Sequence, residues 1–96
     1  MHKKTSTIRG LKVGDLVYHL LYGREWVGVI IDILDVYTDN DKMNHRTEMA
    51  IVKMQPSTKY ATFFEHMVSR SNKLTDSMGL VTTNWLFRLE KEKERN

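Results

Sequence analysis

The sequence predicts a mainly β protein folded as one small five-stranded barrel, and three observations lead there. Trp26 to Val36 reads Trp-Val-Gly-Val-Ile-Ile-Asp-Ile-Leu-Asp-Val, rich in β-branched residues that crowd a helix and suit a pleated strand. The other apolar stretches are short and are punctuated by Gly, Pro, Asn and Asp, the residues of tight turns. A chain of 96 residues builds one compact core, and a sheet curled on itself leaves no edge to template aggregation.

Along the chain, residues 1–10 are polar and end in Gly10, which predicts a flexible basic arm carrying Lys3, Lys4 and Arg9. The barrel is expected over 11–89. Residues 11–13 lead in, Gly14-Asp15 turns the chain, and 15–20 is the first full strand. Tyr22-Gly23-Arg24 reads as a loop before the strand from Trp26 to Val36. In that strand strict alternation puts Val29, Ile31 and Ile33 on one face and Ile30, Asp32 and Leu34 on the other. Gly28 inside it signals a bulge or a close backbone approach. Thr38 to Arg46 is a polar turn cluster and Thr47 to Met54 a third strand, ended by Pro56, which lacks a ladder N–H. Tyr60 to Val68 fits either a strand or helical spacing, and the strand is preferred here. Ser69 to Ser77 is a polar loop, Gly79 to Thr83 a further strand, and Asn84 to Phe87 a single 3-10 turn. Residues 90–96 form a charged tail, read as the end of a short helix that begins at Leu89. Leu16, Ile30, Ile33, Val52 and Leu86 are the expected core.

Gly14-Asp15-Leu16-Val17, Gly23, and Trp26 to Ile33 together resemble the opening of SH3-like barrels, in particular the hairpin of KOW and Tudor modules. Gly79 to Leu89 is similar to the close of such barrels, where a short strand runs into a 3-10 turn and a last apolar residue. The resemblance spans about half of the chain and implies a five-stranded SH3-like barrel with a binding role. Glu25-Trp26 stands where the family carries a lysine-glycine pair, and the 37–46 loop is longer than a tight turn; both departures bear on a nucleic-acid role more than on the fold.

Composition narrows the function. Hydrophobic residues at 41% and charged residues at 28% are those of an ordinary globular domain rather than a disordered chain. With no cysteine there is no disulfide, thiolate zinc site or thiol nucleophile. The longest apolar run, Val27 to Ile31, is far shorter than the roughly 20 residues of a membrane span, and Met1-His2-Lys3-Lys4 opens no signal peptide. His2, His19, His45 and His66 lack metal-ligand spacing; they read as surface or core histidines. No serine elbow, phosphate loop or calcium loop is present, and Asp39, Asn40, Asp41 and Asn44 read as a solvated turn. No cofactor, metal, catalytic group or small-molecule substrate is therefore expected.

The expected role is binding. Tyr18, Tyr22, Trp26, Tyr37, Phe63 and Trp85 either line a recognition surface at one barrel mouth or fill the core. Tyr22 and Trp26 flank the charged Arg24-Glu25 and are the candidates for exposure. Lys3, Lys4, Arg9, Tyr22, Arg24 and Trp26 form the candidate partner-binding set. Net charge is only +3, and Asp32, Asp35, Asp39, Asp41 and Glu48 crowd the middle of the chain, which disfavours nucleic acid. The leading expectation is a non-enzymatic assembly or accessory protein that docks on a larger protein or on copies of itself. By analogy of architecture it compares with the head-decoration and connector components of phage particles, and would be cytoplasmic or virion-associated. The alternative is a KOW- or Tudor-like module serving nucleic acid, transcription or translation.

Overall fold

The computed structural model describes residues 2–40, 43–56 and 73–89. They form one antiparallel sheet of seven strands: β1 (His2–Lys4), β2 (Leu16–His19), β3 (Gly23–Asn40), β4 (Met43–Met54), β5 (Lys73–Thr75), β6 (Met78–Thr82) and β7 (Leu86–Arg88). A 3-10 turn, Thr83–Trp85, joins β6 to β7. The order is β5-β6-β4-β3-β2-β7, with β1 alongside the second half of β3. Among the described residues no ladder joins β5 to β7, and none lies in an α-helix. The mainly β expectation holds. The readings of 60–68 and of the 90–96 tail fall outside the described residues.

The central strand is longer than its sequence pattern. β3 starts at Gly23, where φ of +76° suits glycine, and continues through the polar Thr38 to Asn40, while β4 begins at Met43. Much of the expected 38–46 turn is thus a paired ribbon, because the Asp- and Asn-rich residues are held by a register that runs unbroken from Asp32↔Ile51 to Asn40↔Met43.

The strict alternation expected along β3 fails at one residue. Ile30 faces Val52 and Asp32 faces Ile51, so Ile31 is an extra, unpaired residue, a β-bulge. It resets the phase: Ile30 and Ile33 both enter the core, while Ile31 is 42% exposed. Gly28 marks a close approach rather than the bulge. A Cβ there would collide with Val52 Cγ1 and stand 3.0 Å from the Lys53 carbonyl oxygen. The core is Leu11, Val17, Trp26, Ile30, Ile33, Ala50, Val52, Met54, Val81 and Leu86. Leu16, expected within it, is 39% exposed, since alternation on β2 turns Val17 and His19 inward instead.

The expected free arm is instead a strap. β1 pairs His2 with Asp35, Lys3 with Leu34 and Lys4 with Ile33. Residues 6–12 then fold back through a Ser6↔Lys12 bridge. In this small turn Thr7 N–H donates to the Leu11 carbonyl at 2.7 Å, and its Oγ1 accepts from Leu11 N–H at 2.9 Å. The strap reaches β4 where Ile8 N–H donates to Glu48, and it reaches the edge strand β7 through Arg9. Leu20 N–H donates to the Trp85 carbonyl and Leu89 N–H to that of Leu16. Residues 85, 87 and 89 therefore aim their ladder groups at β2, and the Leu86 carbonyl faces the open side. Arg9 Nη2 donates to that carbonyl at 2.6 Å and to the Thr83 carbonyl at 2.5 Å, with its guanidinium over the Phe87 ring. The loop after it is pinned by Arg88, which donates to the Gly10 carbonyl and to Asp15. The strap forms because its cations find these fixed acceptors, which no pattern within residues 1–10 reveals.

Candidate docking surface

Most of the basic side chains named as partner-binding candidates are engaged within the fold. Arg9 holds the β7 edge. Lys4 sits between two carboxylates, 2.5 Å from Glu48 Oε2 and 3.7 Å from Asp35 Oδ1. Those carboxylates face each other across β3 and β4, an unfavourable like-charge pair that the ammonium makes tolerable. Burial alone pushes the Glu48 carboxyl up. Hydrogen bonds from Lys4 and Thr83, the Lys4 charge and the Ile8 amide outweigh it and hold Glu48 below the usual carboxylate range. A cleft of about 300 Å³ beside this knot, lined by Ile8, Arg9, Arg46, Glu48, Thr83 and Asn84 among others, is formed by groups that mostly satisfy one another. Lys3 is well exposed and lies 3.2 Å from Asp32. Arg24 is exposed, its guanidinium over the Tyr18 ring.

Trp26, expected at the surface, is completely buried. Its place on β3, next to Val27, which lies on the opposite face of the strand and pairs with Tyr18, turns the indole into the core, where a large side chain fills the space. Tyr22 is half-buried and packs on the same core. The six candidates are therefore scattered: Trp26 inside, Lys3, Lys4 and Arg9 along the strap, and Tyr22 and Arg24 near the β2–β3 turn.

What the structure does assemble is an apolar rim. Leu20 and Leu21, 52% and 64% exposed, occupy the β2–β3 turn. The Leu20 N–H is tied to the carbonyl of Trp85, itself 39% exposed on the 3-10 turn. Beneath them lies buried His19. Its ring stacks on Trp85 with centroids 5.7 Å apart, meets Tyr22 at 4.6 Å and touches the edge of Trp26 at 5.2 Å. His19 Nδ1 accepts the Leu21 N–H at 3.2 Å, which places the ring proton on Nε2 and fixes the turn. Sequence reading named Trp85 but missed both leucines. The available signal was a Leu-Leu pair between a strand end and Gly23, where a three-residue turn cannot bury both side chains. Among the described residues, no group of three His, Asp or Glu side chains is placed to hold a metal. No helix among them is long and apolar enough to cross a membrane.

No family model, curated protein or solved structure matches this chain.

The rim carries its own pH test. Burial lowers the His19 pKa to about 4, from an ordinary value near 6.5. Above pH 6.5 the ring is neutral folded or unfolded, and the protein keeps its full stability. As pH falls from 6.5 towards 4 the unfolded chain binds the proton first, so the His19 contribution to stability drops, by about 3 kcal/mol, and this contribution levels off below the folded pKa. Urea titrations of the protein and of His19→Phe between pH 6.5 and 5, above the range where the carboxylates titrate, should show the loss in the parent and its absence in the variant. An identical slope in both would remove His19 as the cause.

Proposed function

We propose that this chain is a non-catalytic docking module built on an SH3-like barrel, and that it attaches to a larger protein assembly through the Leu20–Leu21–Trp85 rim. The observation that carries this reading is the rim itself: three large apolar side chains drawn from two separate elements, held outward over a rigid aromatic base. Apolar and aromatic side chains preorganised in this way are what a protein interface uses as its centre. The barrel reading draws on the short strand β6 that runs into a 3-10 turn, a feature of the SH3-like pattern met in the sequence, and on the sheet order β7-β2-β3-β4-β6. It draws also on the strap between β4 and β7. A phage-type accessory role remains the analogy that suits such a module.

The nucleic-acid alternative is less favoured, because Lys4, Arg9, Arg46 and Arg88 already serve carboxylates or carbonyls of the chain itself. Those four are therefore less available to displace counterions from phosphates, and the net charge of the chain is only +3. Leu21→Asp should leave the melting temperature almost unchanged, since an exposed turn substitution shifts stability by about 0.5 kcal/mol or less. It should abolish recovery of the natural partner from the native source. Equal recovery by both proteins would overturn the rim, and salt-dependent binding of DNA or RNA by both would move the assignment to the alternative.

A further inference from the structure

Residues 2–10 are held to the sheet by hydrogen bonds and ion pairs rather than by apolar burial. Their one apolar side chain, Ile8, is 75% exposed, and the hydrophobic core takes up the chain only at Leu11. The ties are the three-pair ladder of β1 on β3, the Lys4 ammonium between Glu48 and Asp35, and the Lys3–Asp32 pair. To these the Ile8 amide adds its bond to Glu48, Arg9 its bonds to the Thr83 and Leu86 carbonyls, and Arg88 its bond to the Gly10 carbonyl. A segment that buries no apolar side chain gives up little hydrophobic stabilisation when it lifts away, so it opens at a lower free energy than the core.

Glu48 is where these ties converge. Its carboxylate, on β4, takes Lys4 from β1, the Ile8 N–H from the turn that follows, and the Thr83 hydroxyl at 2.7 Å from the 3-10 turn. Asp35 faces it across the ladder from β3; Arg46, on the same strand as Glu48, lies 3.6 Å from Asp35, and Arg9 lines the same cleft. Two of the three donors thus belong to the strap, and both bonds are strengthened by the carboxylate charge. Against the pull of burial, these donors hold the carboxyl below the usual carboxylate range, so it is ionised at neutral pH and is neutralised only in acid.

We infer that residues 2–10 are a releasable strap, which opens as a unit while the rest of the sheet stays folded, with the Glu48 carboxylate as its pin. Opening bares the edge of β3 at Ile33, Leu34 and Asp35 and the Leu86 carbonyl on the edge of β7. Closed, the strap satisfies those backbone groups; open, it leaves them as the kind of unpaired edge that templates strand pairing. Loss of the Glu48 charge weakens the hold on Lys4 and on the Ile8 amide, so acid favours the open form. The inference is independent of the rim.

The test is amide hydrogen exchange of the intact chain at pH 7, in water and in rising urea below the unfolding transition. The Thr7 and Ile8 amides, bonded to the Leu11 carbonyl and to Glu48, are the strap probes; those of Ile30 and Met54, bonded to Asp15 and Ser77, are the core probes. Strap amides should be protected at least about tenfold less than core amides and should depend little on urea, whereas core protection falls steeply. The amides of Ile33, Leu34 and Asp35 that face β1 should exchange with the strap. Val52→Ala, a cut in the buried core, should lower core protection about tenfold or more and leave strap protection unchanged. Glu48→Gln keeps the size of the side chain and should lower strap protection by a further factor of about ten. The parent taken from pH 7 to pH 4 should lose strap protection in the same sense, which tests the pin even if the variant fails to fold. Strap amides that share the core's urea dependence, or that follow the core in Val52→Ala, would overturn the separate unit. β3 amides that stay with the core while the strap opens would overturn the bared edge. Strap protection unchanged both by Glu48→Gln and at pH 4 would overturn Glu48 as the pin.

Discussion

Trp26→Ala should cost roughly 3–5 kcal/mol, the usual loss when a large aromatic is cut from a packed core. Trp26 is completely buried and touches His19 edge-on, so the void opens at the centre of the sheet and beneath the rim at once. In a domain of this size each kcal/mol is worth about 4–8 °C in melting temperature, so a fall of roughly 12 °C or more is expected. Trp26→Phe separates shape from hydrogen bonding. The indole Nε1 has no hydrogen-bond partner among the described residues, and an orphaned buried donor costs about 1–3 kcal/mol. Phenylalanine removes that donor while keeping most of the ring, so its net effect should be much smaller, about 1 kcal/mol. Urea denaturation of the two variants decides it. Equal destabilisation would mean that the nitrogen is satisfied and that packing alone sets the value of the site.

Lys4→Met should be the other large loss, near 3 kcal/mol at neutral pH. The substitution keeps a similar unbranched stem and deletes the charge that lies between Asp35 and Glu48. Both carboxylates are at least about nine-tenths buried, and removing the counter-ion of a buried charge is strongly destabilising. The cost should depend on pH in a stated direction. In the parent, the folded Glu48 pKa lies below its ordinary value, so Glu48 contributes stability above about pH 4.5 that is lost as pH falls through its folded pKa. In Lys4→Met the ionised form has lost its main support, and protonation relieves the two facing carboxylates. The difference between the proteins should therefore narrow from neutral pH to pH 4. Lys4→Met combined with Glu48→Gln should recover much of the loss at neutral pH. A penalty that is constant with pH and unrelieved by Glu48→Gln would show that Lys4 matters through its methylenes.

How much of this was legible in the chain follows from the range of each interaction. Local signals were sufficient for the β character of 26–36, for strands near 16–19, 47–54 and 78–82, and for a 3-10 turn after the last of these, expected over 84–87 and found at Thr83–Trp85, while the short strand β7 that follows it was not read. Those depend on β-branching, alternation and turn residues, which act between neighbours. The same local logic put Ile30, Ile33, Val52 and Leu86 in the core, and all four are there.

The arm, the tryptophan and the docking rim were not legible in this way. Residues 1–10 are polar and basic, and nothing local distinguishes a solvated tail from a strap. The difference lies in Glu48, Thr83 and Leu86, whose acceptors come from distant parts of the chain. Trp26 looked exposed because its sequence neighbours are charged, yet in a strand adjacent residues face opposite sides, so neighbours do not share an environment. The rim needed the Leu20–Trp85 bond between two elements sixty-five positions apart. Sequence alone thus determined an extended, turn-rich chain with one core and no cysteine chemistry. Tertiary structure decided which charges are neutralised, where the phase of β3 resets and which apolar groups are left outside, because each depends on partners that only folding brings within a few ångströms.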